Sequence, residues 1–268
     1  MSAPAATTRA RPARGLSAYF LGLELARQLR RPTTIFFCGV LPILFYLLFS
    51  ALPGMDQAAG RGNADATVAA FMAFYGAAMT AATSAITVSF ERPLGWTRTL
   101  RLTPLRPWAY LATKVASALL GSVLSMGLLF LVAATVGHAR MVGWLWWATF
   151  GLGLLCGVTF GALGLVLGSL LKGETATGVM VPALLVSCFL SGVFAIPLSG
   201  DAFSVLQKVV PLGGPVNLLL ALFGPDVTVN AVGGMAVGDW RIWANITGWL
   251  AVLLVGAAVA YSRGTDRQ

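Results

Sequence analysis

Residues 143–171 read GWLWWATFGLGLLCGVTFGALGLVLGSLL, without a single Asp, Glu, Lys, Arg or His. A helix rises about 1.5 Å per residue, so roughly 20 apolar residues cross a hydrocarbon core of about 30 Å. This run is long enough, and it is not alone. Similar runs cover 34–52, 66–90, 109–136, 175–198 and 242–260, and the only charge inside any of them is Lys114. Lys114 lies near the start of its run, where a long side chain can snorkel to the headgroups. Six runs predict an all-α membrane protein with six transmembrane helices. They form a single domain over 16–268, preceded by a basic tail over 1–15 that is expected to be disordered.

Composition excludes the common soluble classes. Hydrophobic residues make up 57% of the 268 and charged residues 10%, whereas a soluble domain carries about 25% charged residues. Mean hydropathy is +0.82 and the isoelectric point near 10.2. The net charge of +9 comes from 18 Lys+Arg against 9 Asp+Glu. Because the basic residues border the apolar runs, the expected partner is a membrane surface and not nucleic acid. Cys38, Cys156 and Cys188 all fall inside the runs and read as small buried apolar groups, with no disulfide framework suggested.

The connections carry the orientation. Placing the N-terminus inside puts 14 of the 18 Lys+Arg on the inner side and leaves Arg61, Arg140, Lys208 and Arg241 outside. That asymmetry predicts both termini in the cytoplasm. Trp144, Trp146, Trp147, Trp240 and Trp243 then fall at outer ends of the runs, as an interfacial aromatic belt would. Lys172-Gly173-Glu174 makes a very short turn. The long connection 199–241 holds apolar stretches at 203–210 and 215–223, each too short to cross and expected to be re-entrant or interfacial. Pro215 just inside the start and Gly224 just past the end suit a short helix there.

Several chemistries are missing. There is no G-x-x-x-x-G-K-[ST] phosphate loop, no C-x-x-C, no H-E-x-x-H and no G-x-S-x-G, and His138 is the only histidine. A lone loop histidine reads as a surface residue before it reads as a metal ligand. No catalytic, cofactor or metal site is therefore expected in this chain, and the chain is not expected to be an enzyme. The runs also lack the acidic or histidine groups that ion-coupled carriers commonly hold near the midplane. A permease driven by another subunit needs none.

The connection after the second run is the most distinctive, reading ERPLGWTRTLRLTPL over 91–105. Pro93 and Pro104 bracket about three helical turns. Arg98 and Arg101 share one helical face, while Trp96, Leu100 and Thr103 share another. A short helix of this kind suits docking to a cytoplasmic partner. A basic loop that only touches anionic lipid reads equally well from spacing alone.

Glu91-Arg92, Gly95, Leu100, Thr103-Pro104-Leu105 and Lys114 resemble the membrane subunits of type-2 ATP-binding-cassette (ABC) exporters. In that family an acidic-basic pair and a Gly follow the second span, and Thr-Pro-Leu precedes the third. Pro93 and Trp96 depart from the family pattern, which bears on the docking contacts. The resemblance implies a half-transporter of the bacterial cytoplasmic membrane that pairs with a second permease and two cytoplasmic ATPase subunits. Those subunits would bind ATP and Mg. It implies that 92–103 is a coupling helix, with Glu91, Arg92, Trp96, Arg98, Leu100, Arg101 and Thr103 as the ATPase-coupling residues. It also implies an in-plane helix before the first span, short re-entrant outer helices, and an outer gate around Pro211 and Pro215.

The residues before the first run fit that in-plane helix. Ala18, Leu21, Leu25 and Leu29 form one stripe, opposed by Glu24, Arg27, Gln28 and Arg31. Phe20 and Leu23 interrupt the polar side, and Pro32 favours a break after it. Small residues at helical spacing predict close packing: Gly153, Gly157, Gly161, Gly164 and Gly168 in one run, Ser117, Gly121 and Ser125 in another. Packing within the chain is the first reading of these stripes, a dimer contact the second. Thr80, Ser84 and Thr87 are expected either to bond backbone carbonyls or to line a translocation path. A path of apolar and hydroxyl groups suits an amphipathic or hydrophobic cargo such as a drug, an antibiotic or a lipid-like molecule. The functional expectation is thus ATP-driven export. The competing classes are an ion-coupled secondary carrier, which would transport without any ATPase, and a nontransporting membrane accessory or sensor.

Overall fold

The computed structural model describes residues 18–91, 107–194, 201–224 and 236–266. The basic tail and the 92–103 segment lie outside the described residues. Helix α1 spans Ala18–Leu29 and ends ahead of Pro32. A continuous helical stretch follows, made of α2 (Pro32–Ile35), a π-helical turn over Phe36–Val40 and α3 (Leu41–Ser50). The π turn has a local cause. Pro42 has no N–H to give the Cys38 carbonyl, and its ring crowds that carbonyl. The Ser125 hydroxyl donates to the freed Cys38 oxygen at 2.5 Å.

A two-residue hairpin, β1 (Ala58–Ala59) with β2 (Gly62–Asn63), leads into α4 (Ala64–Ile86) and the short α5 (Val88–Glu91). After residue 106 come α6 (Pro107–Thr135), α7 (Gly143–Leu170) and α8 (Gly173–Ser191). Two short helices, α9 (Asp201–Val209) and α10 (Gly213–Phe223), precede the last, α11 (Trp240–Asp266). Among the described residues five helices are long and apolar enough to cross a membrane: Ala64–Phe90, Thr113–Thr135, Gly143–Leu170, Gly173–Ser191 and Trp240–Ala260. The first expected crossing is built from shorter pieces instead. The expected run 175–198 also stops early, because Gly192 takes a left-handed conformation at φ +84 and terminates α8.

The bundle is organised around α4. In its most apolar window 94% of the residues are buried within the protein, against 22–39% for the other four long helices. The latter four therefore present broad apolar faces outward. Helix α4 serves as the axis because it is rich in alanine, so neighbouring backbones approach closely. The glycine stripe of α7 lies against it: a Cβ on Gly164 would sit 2.6 Å from the Ala82 carbonyl oxygen, and one on Gly161 3.5 Å from Ala81 Cβ. The stripe on α6 behaves likewise, with Gly121 facing Thr80 and Gln28. Both stripes pack within the chain.

Candidate functional site

Three polar clusters interrupt the apolar bundle. The first lies where α1, the end of α4 and α6 meet. Lys114 Nζ pairs with Glu24 Oε1 at 2.5 Å and donates to Thr87 Oγ1 at 3.1 Å. The Lys114 side chain is only 2% exposed and that of Glu24 11%. Lys114 therefore does not snorkel to the headgroups; it is neutralised inside the protein by an acid 90 residues earlier in the chain. The same carboxylate accepts from Arg27 at 2.9 Å. On α1 the expected polar face divides: Arg27 is exposed, whereas Glu24 and Gln28 turn toward α4 and α6. Both amide atoms of Gln28 are buried there without a partner.

Of the proposed path residues, Thr80 donates to the Gly76 carbonyl at 2.7 Å, Ser84 to Thr80 at 2.8 Å and Thr87 to Ser84 at 2.7 Å. Their hydroxyls thus satisfy the carbonyls of their own helix, and Thr80 and Ser84 are buried between helices. Glu91 closes α5. Arg92, Trp96, Arg98, Leu100, Arg101 and Thr103 lie outside the described residues.

The second cluster closes the opposite end. Asn63 caps α4, its Oδ1 accepting from Ala66 N at 3.0 Å and from Arg140 N at 2.9 Å, while its Nδ2 donates to the His138 carbonyl at 2.7 Å. Asp65 is fully buried one residue before the apolar run; its Oδ2 accepts from the Tyr46 hydroxyl at 2.7 Å and from His138 N at 2.9 Å. The interior is therefore not free of charge, as the runs alone imply. His138 contributes its backbone N–H and carbonyl to this lock.

The third cluster holds the short helices. Asn245 on α11 donates to the Lys208 carbonyl at 2.7 Å and the Val210 carbonyl at 3.1 Å, and its Oδ1 accepts from Gly214 N at 3.0 Å. Trp249 Nε1 donates to the Val209 carbonyl at 2.6 Å. A Cβ on Gly213 would overlap the Gln207 carbonyl oxygen, so only glycine permits this turn. Pro211 lies in the turn and Pro215 is the third residue of the buried α10. At 11 residues, α10 reaches only about 16 Å, half of a hydrocarbon core.

The buried ion pair and the Asn245 hub were not named from sequence, although each left a trace. Lys114 is the only charge in any apolar run, so an internal counter-ion is its natural complement. Asn245 is likewise an amide within an apolar helix, which lipid does not satisfy.

Comparison with known proteins agrees with this architecture. A relative from Bacillus subtilis (strain 168) named "Putative transport permease YvfS" is 30% identical over 160 residues, covering 58% of this chain and 64% of the relative. The chain thus matches slightly less than two thirds of that relative's length. The family model described as "ABC-2 family transporter protein" matches residues 55–261, from the hairpin before α4 through most of α11. A multi-pass helical membrane protein, this chain belongs to the ABC-2 family of transporter proteins.

Proposed function

We propose that the chain is the permease subunit of an ATP-driven exporter of an amphipathic or hydrophobic small molecule. It works as a pair of permeases with two cytoplasmic ATPase subunits, which bind and hydrolyse ATP with Mg. In this reading the helical stretch from α2 to α3 is a sixth crossing, α1 lies along the inner membrane surface, and both termini are cytoplasmic. The protein sits in the bacterial cytoplasmic membrane. The observation that best supports the reading is the Glu24–Lys114–Thr87 cluster. It joins three helices close in sequence to both ends of the 92–106 segment. A push on that segment is then delivered to α4 and α6 together, and α4 is the axis of the bundle.

Trp96, Leu100 and Thr103 supply an apolar face for a groove in the ATPase, and Arg92, Arg98 and Arg101 supply charge around it. Closure of the ATPase pair displaces the loop, and the bundle opens toward the other side. α9 and α10, with Pro211 and Pro215 at their junction, stand at the exit. Co-purification with the ATPase tests the proposal. Trp96→Asp with Leu100→Asp should abolish association and cargo-stimulated ATP hydrolysis while the permease still folds. Undiminished association and stimulation would contradict it.

A further inference from the structure

Between the end of α9 and the first half of α11 runs an open groove of about 470 Å³, lined by Lys208, Val209, Trp240, Arg241, Asn245 and Trp249 among others. Its floor is made of Ala244, Gly248 and Val252, one helical turn apart on α11. Nothing lies within 4 Å of the position a Cβ would take on Gly248, so this floor is uncovered. Val252 is 64% exposed and Trp240 72%. The walls are fixed, because Asn245 and Trp249 are hydrogen-bonded to the carbonyls of Lys208 and Val209. The groove is thus preformed.

Its charge is one-sided. Lys208 and Arg241 both line it, and neither has an ion-pair partner among the described residues. The nearby Asp239 carboxylate accepts from the backbone N–H of Arg241 and does not line the groove. Trp240 begins the membrane-crossing window, where an indole ring sits at headgroup depth. Two cations lining an open groove with an apolar floor, one of them beside Trp240, complement a molecule with an anionic head and a hydrocarbon tail. We infer that this groove is a binding site for an anionic phospholipid. The phosphate lies between Lys208 and Arg241, and one acyl chain runs along Ala244, Gly248 and Val252.

The site concerns lipid and not cargo, and its test uses neither ATP nor transport, so its outcome leaves the permease reading untouched. The full chain, reconstituted in nanodiscs holding equal phosphatidylglycerol and phosphatidylcholine, is released in the mass spectrometer and its retained lipids counted. Each cation near an anionic headgroup contributes on the order of fivefold in binding, so phosphatidylglycerol should be retained about tenfold or more over phosphatidylcholine. Lys208→Gln with Arg241→Gln should bring the two lipids level, and Gly248→Leu should reduce retention of both. Arg241→Glu, a single change at an exposed position, should lower the preference on its own. Equal retention of the two lipids by the native chain would overturn the inference, as would a preference unchanged in the charge variants. A spontaneous disulfide between two copies of Ala244→Cys would also overturn it, by showing that a second copy covers the groove.

Discussion

Lys114 decides much at the scale of single residues. A buried ammonium is tolerated only with a counter-charge; losing Lys114 leaves the Glu24 carboxylate with the exposed Arg27 as its ion-pair partner and strips it of the buried one. Lys114→Met should therefore destabilise the protein, read as a lower midpoint of thermal unfolding in detergent. Adding Glu24→Gln should recover much of that loss, since both charges are then gone. Strictly additive effects in this cycle would show that the two groups do not interact. Asn245 makes a second case. Leucine there fits the apolar helix but strands the Lys208 and Val210 carbonyls and the Gly214 N–H. Each stranded group costs about 1–3 kcal/mol. Asn245→Leu should loosen α9 and α10 before the rest of the bundle, seen as faster amide exchange at 205–216 with α4 unchanged. Uniform exchange would contradict it.

At the scale of elements, glycine position matters more than glycine number. On α7, Gly164 meets the Ala82 carbonyl and Ala85 Cβ of α4, whereas Gly151 has open space. Overpacking a tight site costs about 1–3 kcal/mol, whereas relief of glycine in a helix returns about 1 kcal/mol. Gly164→Ala should thus lower the unfolding midpoint and Gly151→Ala hold or raise it; the reverse order would mean that α7 does not rest on α4 along this face. Length and charge alone locate several long helices closely, as with 143–171 against Gly143–Leu170. They do not reveal which helix is the axis, because an alanine-rich run and a leucine-rich run are both simply apolar in a count. Burial of α4 follows from the partners that small residues admit. The π turn needs both Pro42 and the distant Ser125, and the early end of α8 needs a conformation at Gly192 that hydropathy does not see.

At the scale of the whole molecule, the bundle is held by hydrogen bonds at both ends and by close packing between. At one end Asn63 and Asp65 fasten α4 to α3 and to the α6–α7 turn. At the other, Glu24 and Lys114 fasten it to α1. Between them lie close Ala–Gly contacts of α4 with α7. The family was legible in the 91–105 stretch and the order of apolar runs around it. The chemistry of the cargo was not, since hydroxyls such as Thr80 and Ser84 are bonded to their own backbone and specify no ligand.

The claim on which the proposed mechanism depends is that residues 92–106 face the cytoplasm and meet the ATPase. The three native cysteines are buried, so a single Thr97→Cys substitution gives a clean reporter. In intact cells a membrane-impermeant maleimide should leave this cysteine unlabelled. Inverted membrane vesicles should label it, and co-expressed ATPase should protect it there. Labelling from the outside of intact cells would contradict the mechanism at its root.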